Sequence, residues 1–270
     1  MKPILAGLTL SLLSVFAVMA LIRPRLQSGS VVAAPMRTPV IVELFTSEGC
    51  SSCPPADELL LQMAQQQPIA NAEVIALEEH VDYWNELGWV DPFSSGEWTA
   101  RQQVYAGVLG NGNTYTPQMV VDGKTEFVGS QSKKAWQAVQ QAAAEQRARV
   151  TLQPGNSKDS GAENLSVSIT RLPETAGRDT PEVWLAITET GLHSAVKRGE
   201  NAGEDLHHAA VVRSIRRIGE AKTGEETSFS GDATVPLRAE WKRENLHSVV
   251  FVQGKKSRRI LGSAAIPVAR

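Results

Sequence analysis

The chain is poor in cysteine, with 2 among its 270 residues. That scarcity excludes a small disulfide-stapled scaffold and a four-cysteine zinc module. An excess of charge of either sign is also missing: 27 Lys+Arg stand against 29 Asp+Glu, for a net charge of -2. With no basic tract to offset that balance, binding of nucleic acid through bulk charge is excluded. The compositional bias of a disordered chain is absent too, since 42% of residues are hydrophobic and 21% charged, which is ordinary for a globular protein. No internal repeat and no coiled-coil heptad is present.

One stretch lacks charge altogether. After Lys2, the residues from Pro3 to Ile22 carry none, and Leu, Ala, Val, Ile and Phe dominate. Residues 1–22 therefore read as a signal peptide, with an uncleaved anchor over residues 4–22 as the alternative. Either reading makes the protein exported, periplasmic or secreted, with the membrane met only through this segment. Export places both cysteines where disulfides persist. Residues 23–38, with Pro24, Gly29 and Pro35, read as a linker.

Regular patterns then begin. Val40–Thr46 has the length of an apolar strand, interrupted by Glu43. Asp57–Gln67 carries Leu59, Leu60 and Met63 at helical spacing, with Pro54 and Pro55 where a missing N–H costs little and Asp57 and Glu58 at the positive end of the helix. Glu73–Glu79 reads as a strand, Trp98–Leu109 as a helix, Gln118–Asp122 and Thr125–Val128 as a hairpin joined at Asp122-Gly123, and Ser132–Arg149 as a helix. Beyond residue 150 the alternating runs Leu165–Ile169, Val183–Thr188 and Val249–Val252 are separated by Gly, Pro, Asn and Asp. The expected organisation is an α/β domain over 39–149 followed by a small all-β, sandwich-like domain over 150–270.

The 2 cysteines form one motif, Cys50-Ser51-Ser52-Cys53. Such a pair is a redox couple, half a zinc site or a structural crosslink. Zinc fails on ligand count, because no second pair and no His-x-His cluster follows. His207 and His208 are adjacent, so on a strand they point to opposite faces and do not form a metal pair. A local crosslink of so short a loop contributes little chain entropy. The redox reading makes Cys50, at a helix start, the exposed attacking sulfur and Cys53 the shielded resolving sulfur. Ser51 and Ser52 are small donors beside the thiolate. Glu43, buried in the preceding strand, would pass protons to the resolving thiol. Thr116-Pro117 precedes a strand, where a cis proline would present backbone to an extended peptide.

Strand, Cys-x-x-Cys-Pro at a helix start and Thr-Pro before a hairpin resemble the thioredoxin-like superfamily over about residues 38 to 149. More closely, Val42–Asp57, His80–Trp84, Leu87–Phe93, Tyr115–Gly123 and Gly199–Gly203 with His208 and Val211–Arg213 are similar to a bacterial family of exported thioredoxin-like proteins catalogued as a domain of unknown function. The resemblance implies a thioredoxin-like domain with Cys50 as nucleophile, Cys53 as resolving cysteine, Pro117 as cis-proline and Glu43 as buried acid. The segment between the second strand and Thr116 is longer than a minimal thioredoxin has. It carries His80, which should face Cys50, and Trp84, Trp89 and Trp98, expected to form a small satellite core.

The function expected is a cell-envelope thiol–disulfide oxidoreductase. Cys50, Cys53, Pro117 and Glu43 would be catalytic, and Thr116, Ser51, Ser52, His80 and Trp84 would contact substrate. The expected partners are a protein or small-thiol disulfide and an upstream redox protein; no cofactor and no metal is expected. The alternatives are a copper- or ligand-binding module using Cys50, Cys53 and His80, and a non-catalytic interaction domain.

Overall fold

The computed structural model describes residues 37–269 apart from 111, 156–160, 175, 177 and 178. The expected leader and most of the linker lie outside the described residues. Among the described residues no helix is long and apolar enough to cross a membrane.

The first half follows the expected order: β1 (Thr38–Thr46), α1 (Pro54–Gln66), β2 (Ala72–His80), α2 (Gly96–Leu109), β3 (Gln118–Val121), β4 (Thr125–Val128) and α3 (Ser132–Ala143). Helix α3 stops short of the expected Arg149, which instead opens β5 (Arg149–Pro154). The second half adds β6 (Ala162–Thr170), β7 (Pro181–Glu189), β8 (His193–Ala195), β9 (Asp205–His207), β10 (Val211–Glu220), β11 (Thr227–Pro236), β12 (Leu246–Gly254) and β13 (Ile260–Pro267). The hairpin between β3 and β4 turns at Asp122 and Gly123, both with positive φ; a Cβ on Gly123 would lie 1.8 Å from the Arg258 carbonyl oxygen, so only glycine fits.

The expected fold class needs correction. The α/β part does not stand as a thioredoxin-like domain beside a separate all-β one. Strands from both halves make one eight-stranded mixed sheet in the order β13-β12-β7-β10-β2-β1-β3-β4. The physical reason lies at β2. It is buried along nearly its whole length and its outer edge would expose unpaired N–H and C=O groups. Strand β10 pairs with the carboxyl end of that edge: Val211 pairs in parallel with Glu78, and the Glu78 N–H donates to the Ala210 carbonyl at 2.9 Å.

Alternation along β1 sorts the core. Val40, Val42 and Leu44 pack with Leu60 and Met63 of α1 and Val139 of α3. Ile41 packs on the opposite face with Trp98 of α2 and Phe251 of β12. Partners in register share a face, so the α1 face continues across β10 onto β7 and β12. There Leu185, Ile187 and Val250 are covered by Leu165, Val167 and Ile169 of β6, within the three-stranded sheet β11-β6-β5. The carboxyl end of β1 and the N-terminus of α1 meet where Cys50 stands, and the His208–Val211 segment is brought to the same end.

Candidate functional site

Cys50 and Cys53 are joined by a disulfide across the turn between β1 and α1, with Cα atoms 5.4 Å apart. The turn is built from backbone bonds: Cys50 N–H donates to Ser47 O and Cys53 N–H to Cys50 O, both at 3.1 Å. Cys53 is the N-cap of α1, and Pro54 and Pro55 follow as its first residues. Thr116 and Pro117 are joined by a cis peptide bond, and the Thr116 hydroxyl lies 3.3 Å from Cys50 Sγ. Ser52 Oγ is also 3.3 Å from that sulfur. Trp84 Nε1 donates to Thr116 Oγ1 at 2.8 Å, which holds the hydroxyl in place. Gly49 leaves room for the indole, since a Cβ there would sit 3.1 Å from Trp84 Cβ.

Two residues from the second half close over the turn. Asn201 Nδ2 donates to the carbonyls of Glu48 at 2.8 Å and Cys50 at 3.0 Å. Glu200 Oε2 accepts from the Ser51 N–H at 3.2 Å. Both cysteines are buried, so Cys50 is not the exposed sulfur that was expected, while Ser51 and Ser52 are exposed.

A sequence profile for a family described as a protein of unknown function (DUF1223) matches residues 41–253. The chain belongs to this family. The match runs from β1 to β12, so the DUF1223 unit includes the cysteine turn, Asn201 and His208 together. A solved structure from Agrobacterium tumefaciens, protein AGR_C_4864, is similar at 26% identity and a TM-score of 0.63, covering 86% of this chain and 96% of that one. HBP35 of Porphyromonas gingivalis is similar in fold at 15% identity and a TM-score of 0.63, covering 87% of this chain and 77% of that one. No curated protein matches the chain.

Beneath the DUF1223 turn lies a buried polar cluster. Asp57, one turn into α1, accepts from Thr46 Oγ1 at 2.6 Å. His208 sets Nδ1 2.8 Å from Glu78 Oε1 and Nε2 3.0 Å from Glu48 Oε1. His80 sets Nδ1 2.7 Å from Asp91 Oδ2 and Nε2 3.4 Å from Glu78 Oε1. Trp89 Nε1 donates to Glu48 Oε2 at 2.7 Å, and the Glu48 N–H donates to Asp91 Oδ2 at 2.9 Å. Burial, then repulsion by Glu78, lifts Asp57 to about 7. Burial also pushes Glu78 up, but the charge and hydrogen bond of His208 outweigh it and leave Glu78 at about 2. Burial alone would lower His208; Glu78 more than reverses this, to about 9.

The expected site residues divide. Cys50, Cys53, Ser52, Thr116, Pro117 and Trp84 come together, whereas exposed Ser51 gives its N–H to Glu200. Glu43 does not. It faces α2 across the sheet, where Arg101 Nη2 lies 2.6 Å from its Oε2 and the Tyr105 hydroxyl donates to Oε1. His80 turns both nitrogens to carboxylates rather than to the sulfurs. The three tryptophans part company: Trp98 packs under the sheet, Trp84 against Phe45 and Tyr105, and Trp89 onto Glu48. Asp57 was expected only at the positive end of the helix, although it shares the inward face with Cys53 and Leu60 by spacing. Glu78 carried no local signal, and Glu48, Glu200 and Asn201 lay within the strings of the family resemblance without a role assigned to them. The donor atoms of Glu78, His80 and His208 lie within 4.8 Å of one another and are the metal-capable set among the described residues.

Proposed function

We propose that the protein is a thiol–disulfide oxidoreductase of the cell envelope, working through Cys50 and Cys53. The observation that carries this reading is the disulfide at the β1–α1 turn, with the hydroxyls of Thr116 and Ser52 against the Cys50 sulfur. Inert crosslinking explains the arrangement poorly, because so short a loop contributes little chain entropy and needs no donors aimed at one sulfur. The charge-free N-terminal run supports an envelope location.

In the oxidising direction Asn201 and Glu200 move off the turn and a substrate thiolate attacks Cys50 Sγ. The Cys50–Cys53 bond breaks, and Cys53 leaves with the bonding pair as a thiolate that takes up a proton. A second substrate thiolate attacks the substrate sulfur of the mixed disulfide and releases Cys50 as a thiolate. Two electrons pass from the substrate dithiol to the cysteine pair, and the reverse sequence reduces a substrate disulfide. The hydroxyls of Thr116 and Ser52 donate to the Cys50 thiolate and lower its cost. Asp57, one turn from Cys53 on the buried face of α1, is the nearer protonatable carboxyl, and takes the role first assigned to Glu43.

The test is a Cys53→Ser variant, unable to resolve a mixed disulfide. Incubated with oxidised glutathione, it accumulates an adduct at Cys50, seen by mass spectrometry, while the Cys50→Ser/Cys53→Ser variant gives none. A Cys53→Ser protein that forms no adduct while folded overturns the reading.

A further inference from the structure

Away from the sulfurs, the polar cluster has a construction that ion pairing alone does not require. We propose that Glu78, His80 and His208 form a buried site for a divalent transition metal of the zinc class. The proposal stands independently of the disulfide chemistry.

Each histidine has one ring nitrogen fixed by an outer carboxylate and the other turned to Glu78. His80 gives Nδ1 to Asp91 at 2.7 Å, which leaves Nε2 3.4 Å from Glu78 Oε1. His208 gives Nε2 to Glu48 at 3.0 Å, which leaves Nδ1 2.8 Å from the same oxygen. Carboxylate–histidine–metal chains have this form: the outer acid sets the tautomer and aims the inner nitrogen. The outer acids are themselves held. Asp91 accepts from the backbone of Glu48 and Phe93, and Glu48 accepts from Trp89 Nε1. Glu78 Oε2 accepts from the Ala209 N–H, so its Oε1 is the free oxygen toward the histidines.

One atom points to a ligand directly. His80 Nε2 is fully buried and makes no hydrogen bond among the described residues, the Glu78 Oε1 it is turned to lying 3.4 Å away. A buried polar atom without a partner is costly, and a metal ion would supply one. The three donor atoms lie within 4.8 Å of one another. Two imidazoles with one carboxylate are a donor set that suits zinc. Because Glu78 and His80 belong to β2 and His208 follows β9, the ion would tie the two halves of the chain together beneath the cysteine turn.

The experiment uses the full chain, unfolded in chelator, refolded with zinc and passed over a desalting column. One zinc per chain is expected, retained in the Cys50→Ser/Cys53→Ser variant, and a cobalt-loaded sample shows no thiolate charge-transfer band. His208→Gln should weaken binding at least a hundredfold. Where that variant does not fold, Asp91→Asn decides: it leaves the ligands in place and should weaken zinc about 10–100-fold. No bound zinc in the folded wild type, loss of zinc in the double cysteine variant, or unchanged affinity in Asp91→Asn would each overturn the site.

Discussion

Glu78 and Glu79 are neighbours on β2, yet they serve opposite faces of the sheet and opposite kinds of network. Glu79 points to α2, where it shares Arg101 with Glu43: Arg101 Nε lies 2.7 Å from Glu43 Oε2 and 3.3 Å from Glu79 Oε1. Gln253 Nε2 from β12 donates to the Tyr105 hydroxyl at 2.8 Å and completes the shell. The positive charge there is a guanidinium that never leaves. Glu78 points to α1, where the positive groups are imidazoles, which can release their protons or exchange them for a metal. The first network is a fixed brace. The second is adjustable, and it lies under the disulfide. One β-strand thus separates a structural ion cluster from a chemically responsive one by the alternation of its side chains.

The sharpest way to break this comparison is to remove the fixed charge. Arg101→Met removes the guanidinium that Glu43 and Glu79 share, and should cost about 3–5 kcal/mol in urea unfolding; a loss under about 1 kcal/mol would put both networks in one class. The responsive side is tested by pH. Asp57 is held at about 7 against an ordinary 3.8. Its folded pKa is raised, so its contribution to stability is full below about pH 4 and is lost as pH rises through about 7. In metal-free protein, Asp57→Asn should remove about 4 kcal/mol of the stability difference between pH 4 and pH 8, read from urea midpoints. An unchanged difference would mean that Asp57 does not titrate there.

Smaller effects are expected at the cover. Asn201→Ala loses two hydrogen bonds to buried carbonyls. It should cost about 2 kcal/mol and speed disulfide exchange with glutathione, because the Cys50 turn is freed. Slower exchange would show that Asn201 presents the sulfur rather than shielding it. Smallest of all, Glu200→Gln should leave the melting temperature where it is. It should accelerate attack by anionic glutathione less than tenfold, an effect that salt abolishes.

Much of this was readable in the sequence up to residue 143. Strands β1 to β4 and helices α1 and α2 stand close to their expected bounds, and α3 starts where expected, because apolar period and turn residues act locally. The pairing of β10 on β2 was not readable. The run Val211-Val-Arg-Ser-Ile-Arg-Arg-Ile-Gly-Glu220 mixes charge with apolar residues irregularly, and its partner lies about 130 residues away, where nothing local specifies it. That one pairing merges the two expected parts and brings His208 to Glu78. For the site, the cysteine motif and Thr116-Pro117 were legible as short strings. Glu43 was misplaced because alternation tells which residues share a face, but not which face meets α1. Asp57 was misread because an acid in the first helical turn suits the dipole whether it is exposed or buried.

The central claim is that the Cys50–Cys53 bond exchanges. The most direct measurement equilibrates the protein across glutathione buffers, traps free thiols by alkylation and reads the fraction reduced by mass. The account predicts a reversible transition at a potential above about -250 mV. A pair that stays oxidised in every buffer, with the fold intact, would contradict it.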